Sequence, residues 1–169
     1  MKFEFCPHCG KRLAEKEIGD EGLVPFCTEC GIPVWEMFTT SVIAAVVNEY
    51  GEIALLRQNY VSETKYVCVA GIMKPGESAE DAVVREVKEE LGQNVFSAGY
   101  VGSWPYKKKD MLMLGFTADV IKNEFRLSGE VDSAEWVRLE DAPPLLREGG
   151  IAWRLVNEVI AWRNSSGRI

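Results

Sequence analysis

GIMKPGESAEDAVVREVKEELGQ, residues 71–93, is the stretch that decides the fold. Ser78 followed three residues later by Asp81 is a capping-box pattern, so the spacing predicts a helix of about three to four turns that starts after Ser78 and closes at Gly92. Wound at about 100° per residue, it carries Val83, Val84, Val87 and Leu91 on one arc and Glu86, Glu89 and Glu90 on the neighbouring one. Carboxylates three and four residues apart repel by roughly a few tenths of a kcal/mol per pair on an isolated helix. A fold that gathers three of them therefore calls for a compensating cation, and a hard divalent ion suits oxygen ligands best. An acidic stripe on a good helix former is otherwise a solvated face; the surroundings of this one set it apart.

A chain of 169 residues has room for one ordinary domain and a small appendage. Its net charge of −7 argues against a protein that grips bare nucleic acid over its whole surface, though it leaves room for a local basic patch. The longest apolar run, residues 42–47, is far too short to span a bilayer, and residues 1–5 lack the apolar core of a signal peptide. The expected location is the cytoplasm, with no membrane partner.

Four of the five cysteines form two knuckles, Cys6-x2-Cys9 and Cys27-x2-Cys30, separated by seventeen residues. That is the spacing of a structural zinc site, and Gly10 and Gly31 follow the knuckles where the backbone must turn tightly around a metal. A redox dithiol would need one such pair, not two. Four thiolates close a tetrahedron and leave no position for chemistry. His8 reads as an exposed bystander within the first knuckle, and Cys68 as a small core residue. Residues 1–36 are thus expected to form a zinc ribbon that depends on its metal for folding.

Beyond Pro33-Val34-Trp35, residues 39–48 and 52–57 read as a strand hairpin, and residues 66–70 as a third strand that delivers the chain to Gly71, where backbone must approach something closely. Further strands are expected near residues 98–104, 111–120 and 135–139. After Pro143-Pro144 a helix follows, with Ile151, Leu155, Val159 and Ala152, Val156, Ile160 as its apolar stripe. Helices on a mixed sheet make an α/β sandwich.

The spacing of Gly71, Glu77, Arg85, Glu86, Glu89, Glu90 and Gly92, G-x5-E-x7-R-E-U-x-E-E-x-G-U with U a bulky apolar residue, resembles the Nudix box. Seven specified residues at ordinary usage would coincide by chance on the order of once in 10⁹ windows. Gln93 departs from the last U, a packing position, so the expected consequence is a weakened hydrophobic contact. Coupled to a four-cysteine ribbon, the box is similar to the C-terminal two thirds of the NADH pyrophosphatase family. Downstream, that family has S-Q-P-W-P-F-P-x-S and then an L-M-x-x-F strand; residues 102–116 read GSWPYKKKDMLMLGF. The W-P-aromatic core and the strand are present. The Gln-Pro pair is absent, Lys107, Lys108 and Lys109 intervene, and Asp110 stands near the closing serine.

The resemblance implies a Nudix α/β/α sandwich over residues 37–169 behind the ribbon, and a homodimer. It implies Mg²⁺ or Mn²⁺ held by Glu86, Glu90, Glu130 and the backbone carbonyl of Ala70, with Glu89 completing the acidic cluster and Arg85 pairing with Glu77 to brace the loop. It points to Trp35, Trp104, Tyr106 and Ala152 as substrate contacts; read alone, the aromatics point first to core packing. Glu89 or Glu86 orients or deprotonates the attacking water. The three lysines fit either substrate phosphate or a solvated loop. The expected reaction is hydrolysis of a pyrophosphate bond in a nucleoside-diphosphate-linked substrate, NAD(H) to AMP and nicotinamide mononucleotide. ADP-ribose, another dinucleotide and NAD-capped RNA are alternatives, and a non-catalytic nucleotide- or RNA-binding regulator is the alternative class.

Overall fold

The computed structural model describes residues 3–166, with side chains to residue 165, so the ends of the expected ribbon and of the expected second domain lie outside the described residues. The chain divides into two compact units, one before and one after the Thr39–Thr40 bond. The first carries β1 (Ala14–Glu17), β2 (Leu23–Cys27) and β3 (Ile32–Pro33) as an antiparallel sheet in that order.

The second unit is built on β4 (Thr39–Asn48), whose residues from Ser41 onward are all buried. A strand apolar at nearly every position has to be covered on both faces, and period-two alternation divides its side chains between two cores. Val42, Ala44 and Val46 join one core with Ala54, Leu56 and Phe116, while Ile43, Ala45 and Val47 join the other with Ile53, Leu55 and Cys68. Burial pushes the Cys68 thiol up to about 12, which suits an inert core residue. β5 (Glu52–Arg57) pairs antiparallel with β4 around the Gly51 turn. β7 (Val95–Tyr106) and β8 (Met111–Val120) form a long antiparallel hairpin, and β9 (Ser133–Arg138) closes the far edge. The mixed sheet runs β7-β8-β4-β5-β9, with β6 (Val69–Ile72) also pairing to β4.

α1 (Ala79–Leu91) covers the first core with Val83, Val87 and Leu91, and α2 (Ile151–Ser166) covers the second with Leu155, Val156 and Val159. Each fully buried Val or Leu is worth about 1.5–3 kcal/mol, so these stripes dock both helices. Both signals at the ends of α1 hold. Ser78 Oγ accepts from the Asp81 N–H, and Gly92, at φ 70°, turns its own N–H back to the Lys88 carbonyl.

Three expectations change. Val84 is 42% exposed, so the buried arc narrows to Val83, Val87 and Leu91, and Ala82 fills its side. The third strand lies at Val69–Ile72 rather than residues 66–70, because continuous pairing with β4 begins at Val69 and Val67 makes only an isolated bridge to Leu56. Gln93, expected to leave a weak apolar contact, is instead 1% exposed and hydrogen-bonded throughout. Its Nε2 donates to the carbonyls of Leu91, Asn123 and Glu124, and its Oε1 accepts from the Asn123 N–H. The amide thereby stitches the segment after β8 to the end of α1.

Candidate functional site

Strand alternation brings the carboxylates together. Val69 faces the α1 core, so Gly71 two residues on faces it too, and a Cβ there would overlap the Glu86 carboxylate. That is the close approach expected at Gly71. Glu86 and Glu90, one helical turn apart, are buried to 9% and 5% exposure, while the Glu89 side chain is half exposed. Arg85 grips this end of the helix. Its Nε and Nη2 donate to the two Glu77 oxygens at 3.0 and 2.6 Å, Nη2 also reaches the Ile72 carbonyl, and Nη1 donates to Glu86 at 2.5 Å and to Glu89 at 3.2 Å. A planar guanidinium makes this bidentate clasp where an ammonium cannot. The guanidinium beside it, helped by the Lys74 N–H, holds Glu77 down to about 2 and keeps it ionised.

Glu90 differs. Its Oε1 accepts from Gln58 Nε2 at 3.3 Å, but its buried Oε2 has no partner. Burial, reinforced by the charges of Glu86 and Glu130 and opposed by Gln58 and by the Ala70 backbone, pushes Glu90 up to about 7. A desolvated carboxylate oxygen beside like charges is the state a divalent cation relieves, so these residues fit such an ion. Glu130 sits exposed on a turn tied to the helix end, where the Arg126 and Ser128 amides donate to the Leu91 and Glu90 carbonyls. Among the described residues these carboxylates do not gather three ligand oxygens within 4.8 Å of one another, and Glu86 is bonded to Arg85.

Ala70 lies between Val69 and Gly71 in β6, with its side chain toward the α2 core. Trp104 is also on that side: its ring lies over Gly115, where a Cβ would collide with it, beside Leu155. It is therefore not gathered with the α1 carboxylates. Tyr106 ends β7 partly buried, Ala152 sits in the first turn of α2, and Trp35 is half exposed in the first unit. Lys107, Lys108 and Lys109 form one exposed turn, closed by Asp110 at φ 45°.

Two residues near the carboxylates escaped sequence reasoning. Gln58 had a readable signal, since it continues the inward alternation of Ala54 and Leu56 and so puts an amide where the pattern calls for an apolar residue. Tyr60, two residues later, is 70% exposed, yet desolvation of its hydroxyl and the charges of Glu130, Glu90 and Glu86 push it above the ordinary phenol range; nothing in its own spacing marks it.

In the first unit, the Cys6, Cys9, Cys27 and Cys30 sulfurs lie within 4.8 Å of one another, with Cys9 3.5 Å from Cys27 and Cys6 4.0 Å from Cys30. A tetrahedron of thiolates at about 2.3 Å from zinc has edges of about 3.8 Å, whereas a disulfide would close to about 2.05 Å. Gly10 and Gly31, both at positive φ, return their N–H groups to the Cys6 and Cys27 carbonyls. The four sulfurs fit one tetrahedral ion, and His8 stays exposed outside them.

The NUDIX domain model matches residues 37–158, well over half of the chain, and takes in the whole box. The chain belongs to the Nudix family. Among its Nudix relatives, the NAD-capped RNA hydrolase NudC of Pseudomonas aeruginosa (strain LESB58) is 34% identical over 165 residues, 96% of this chain and 57% of that protein. NudC of Pseudomonas putida (strain W619) is 34% identical over 163 residues, 95% of this chain and again 57% of the relative. The chain thus spans a little over half the length of these relatives. A NUDIX hydrolase from Nitrosomonas europaea superposes with a TM-score of 0.68 at 16% identity, covering 98% of this chain and 93% of that one. The NUDIX domain of Shewanella oneidensis NrtR, solved with ADP ribose, superposes at 0.64 and 13% identity, over 81% and 93%. At these identities the likeness is one of fold. Among the described residues no helix is long and apolar enough to cross a membrane.

Proposed function

We propose that this Nudix chain is a divalent-metal-dependent pyrophosphohydrolase acting on NAD(H), with AMP and nicotinamide mononucleotide as products. One observation carries the reading: Glu90 buries an unpartnered carboxylate oxygen one helical turn from Glu86, whose own carboxylate fits against Gly71 because that residue has no side chain. Glu86, Glu90, Glu130 and the Ala70 carbonyl are the ligands proposed for Mg²⁺ or Mn²⁺. Such ions, when bound, supply an activated water and relieve charge on the bridging phosphates. Glu89, half exposed and within reach of Arg85 and Lys74, is suited to orient or deprotonate that water, as is Glu86. The water oxygen bonds to one phosphorus, the bridging P–O bond breaks, and the proton passes to the glutamate. Arg85 and Glu77 brace Gly71 and the loop against the helix, and Gly92 ends it.

Residues 1–36 are proposed as a zinc ribbon and residues 37–169 as the catalytic domain, in a cytoplasmic homodimer. Trp35, Tyr106 and Ala152 are proposed as substrate contacts, with Trp104 either among them or part of the scaffold. The packing of its ring on Gly115 favours the scaffold role. NAD-capped RNA is the second substrate reading, favoured by the relatives' names, since it presents the same pyrophosphate bond. The test is to incubate the purified chain with Mg²⁺ or Mn²⁺ and NADH, NAD⁺, ADP-ribose, dinucleoside polyphosphates and NAD-capped RNA, and to identify the products. Cleavage of NAD(H) to AMP and the mononucleotide is expected. No hydrolysis of any of these would favour the non-catalytic binder.

A further inference from the structure

The sequence gives Gln58 no role in the Nudix box, yet its side chain is 5% exposed and its amide contacts Glu90. It follows directly after the end of β5 and continues the inward alternation of Ala54 and Leu56 toward α1. Its backbone is held as well. The Gln58 carbonyl accepts from the Val61 and Ser62 amides at 2.8 and 3.0 Å, the Asn59 amide donates to Asp132 Oδ2 at 2.7 Å, and the Asp132 amide returns to the Arg57 carbonyl at 2.9 Å. These bonds fix the backbone at and just after the end of β5 against the segment that carries Glu130.

The choice of residue matters chemically. An arginine or lysine here would neutralise Glu90 and compete with a cation, as Arg85 does at Glu86. An aliphatic side chain would take away the donor to Oε1 in a buried site. A neutral amide donor occupies one oxygen and leaves the other bare, and Oε2 is the atom without a partner. Ligating carboxylates are commonly oriented by such outer hydrogen bonds, and removing one costs about 10- to 100-fold in metal affinity or activity.

We propose that Gln58 is a positioning residue of the metal site, holding Glu90 by Oε1 so that Oε2 is presented to the divalent ion. The inference rests on the reading of Glu90 as a metal ligand. Mn²⁺ binding to the full chain, followed by electron paramagnetic resonance without any nucleotide, tests it with Gln58→Met, which preserves shape and burial but removes the donor. The dissociation constant for Mn²⁺ is expected to rise by about tenfold or more. Hydrolysis should recover at saturating Mn²⁺ with an unchanged KM for the nucleotide, and the melting temperature should move by only a few degrees. A purely packing role would leave the Mn²⁺ constant untouched. If Gln58→Met does not fold, Gln58→Asn, which withdraws the amide by one methylene, makes the same comparison. Glu90→Gln run in parallel separates the two levels. If Glu90→Gln weakens Mn²⁺ strongly while the folded Gln58 variant binds within twofold of wild type, the role of Gln58 is overturned. If Glu90→Gln binds Mn²⁺ as the wild type does, the metal-ligand reading falls with it.

Discussion

The two candidate metal sites of this chain are built in opposite ways. At the ribbon, short knuckles converge four sulfurs to within 4.8 Å, and backbone turns at Gly10 and Gly31 do the converging. At the α1 site, the carboxylates are brought near by a helix face and a strand but stay apart at their tips, Glu86 tied to Arg85 and Glu90 to Gln58. A site whose task is to hold structure can be closed by its own backbone. A site that must take up and exchange an ion keeps its ligands braced and incompletely satisfied, as the bare Glu90 oxygen is. Groups held by packing or backbone should therefore answer to mutation in stability, and groups held by charge in affinity and rate.

The largest effect is expected at the ribbon. Structural zinc contributes about 10–16 kcal/mol to the folding of isolated finger peptides, so Cys27→Ser should release the ion and unfold the first unit while the sheet melts near its normal temperature. Metal analysis with hydrogen exchange reads both. Zinc absent from wild-type protein purified without chelator would break the comparison at its first term.

Trp104 sharpens the distinction next. If its half-buried ring is scaffold, Trp104→Ala should cost about 3 kcal/mol, the low end for a large core truncation, and leave KM for a dinucleotide nearly unchanged. A raised KM with an unaltered melting temperature would return Trp104 to the substrate site.

Gly71→Ala tests the charged side. The colliding atoms are the flexible end of Glu86, so the added methyl should displace the carboxylate with little change in stability and reduce turnover by about 10- to 100-fold. Unchanged turnover would show that Glu86 does not need its place beside Gly71. The smallest effect concerns Gln93. Replacing it with the leucine that the box pattern favours should cost about 1–2 kcal/mol by stranding carbonyls of Leu91, Asn123 and Glu124, and should speed exchange of the Asn123 amide. A stabilised Gln93→Leu would mean that the buried amide is not a latch.

What could be read in advance followed the range of the interaction. Caps, box spacing and strand 39–48 depend on residues within a few positions of one another, and the expected bounds of that strand match β4. The fold family was legible in the box, and it is the family matched by residues 37–158. The third strand was misplaced because 66–68 and 69–72 are equally strand-like, and only pairing with β4 selects between them. Gln93 was not legible as a structural polar residue, and at Gln58 the strand alternation marks an inward amide without showing what it meets. A buried amide is worth having only when distant carbonyls or a carboxylate meet it, and those partners lie 30 or more residues away. The hold of Arg85 on Glu86 was likewise hidden, since spacing pairs Arg85 as readily with Glu77 or Glu89, and the structure uses all three.

The most direct test of separate, differently built sites is made on one protein, Glu90→Gln, by measuring Mn²⁺-dependent NADH hydrolysis and zinc content in the same sample. The expected result is one zinc per chain, a melting temperature close to wild type, and turnover lowered by at least about a hundredfold. Turnover within a few fold of wild type at the same zinc content would contradict it.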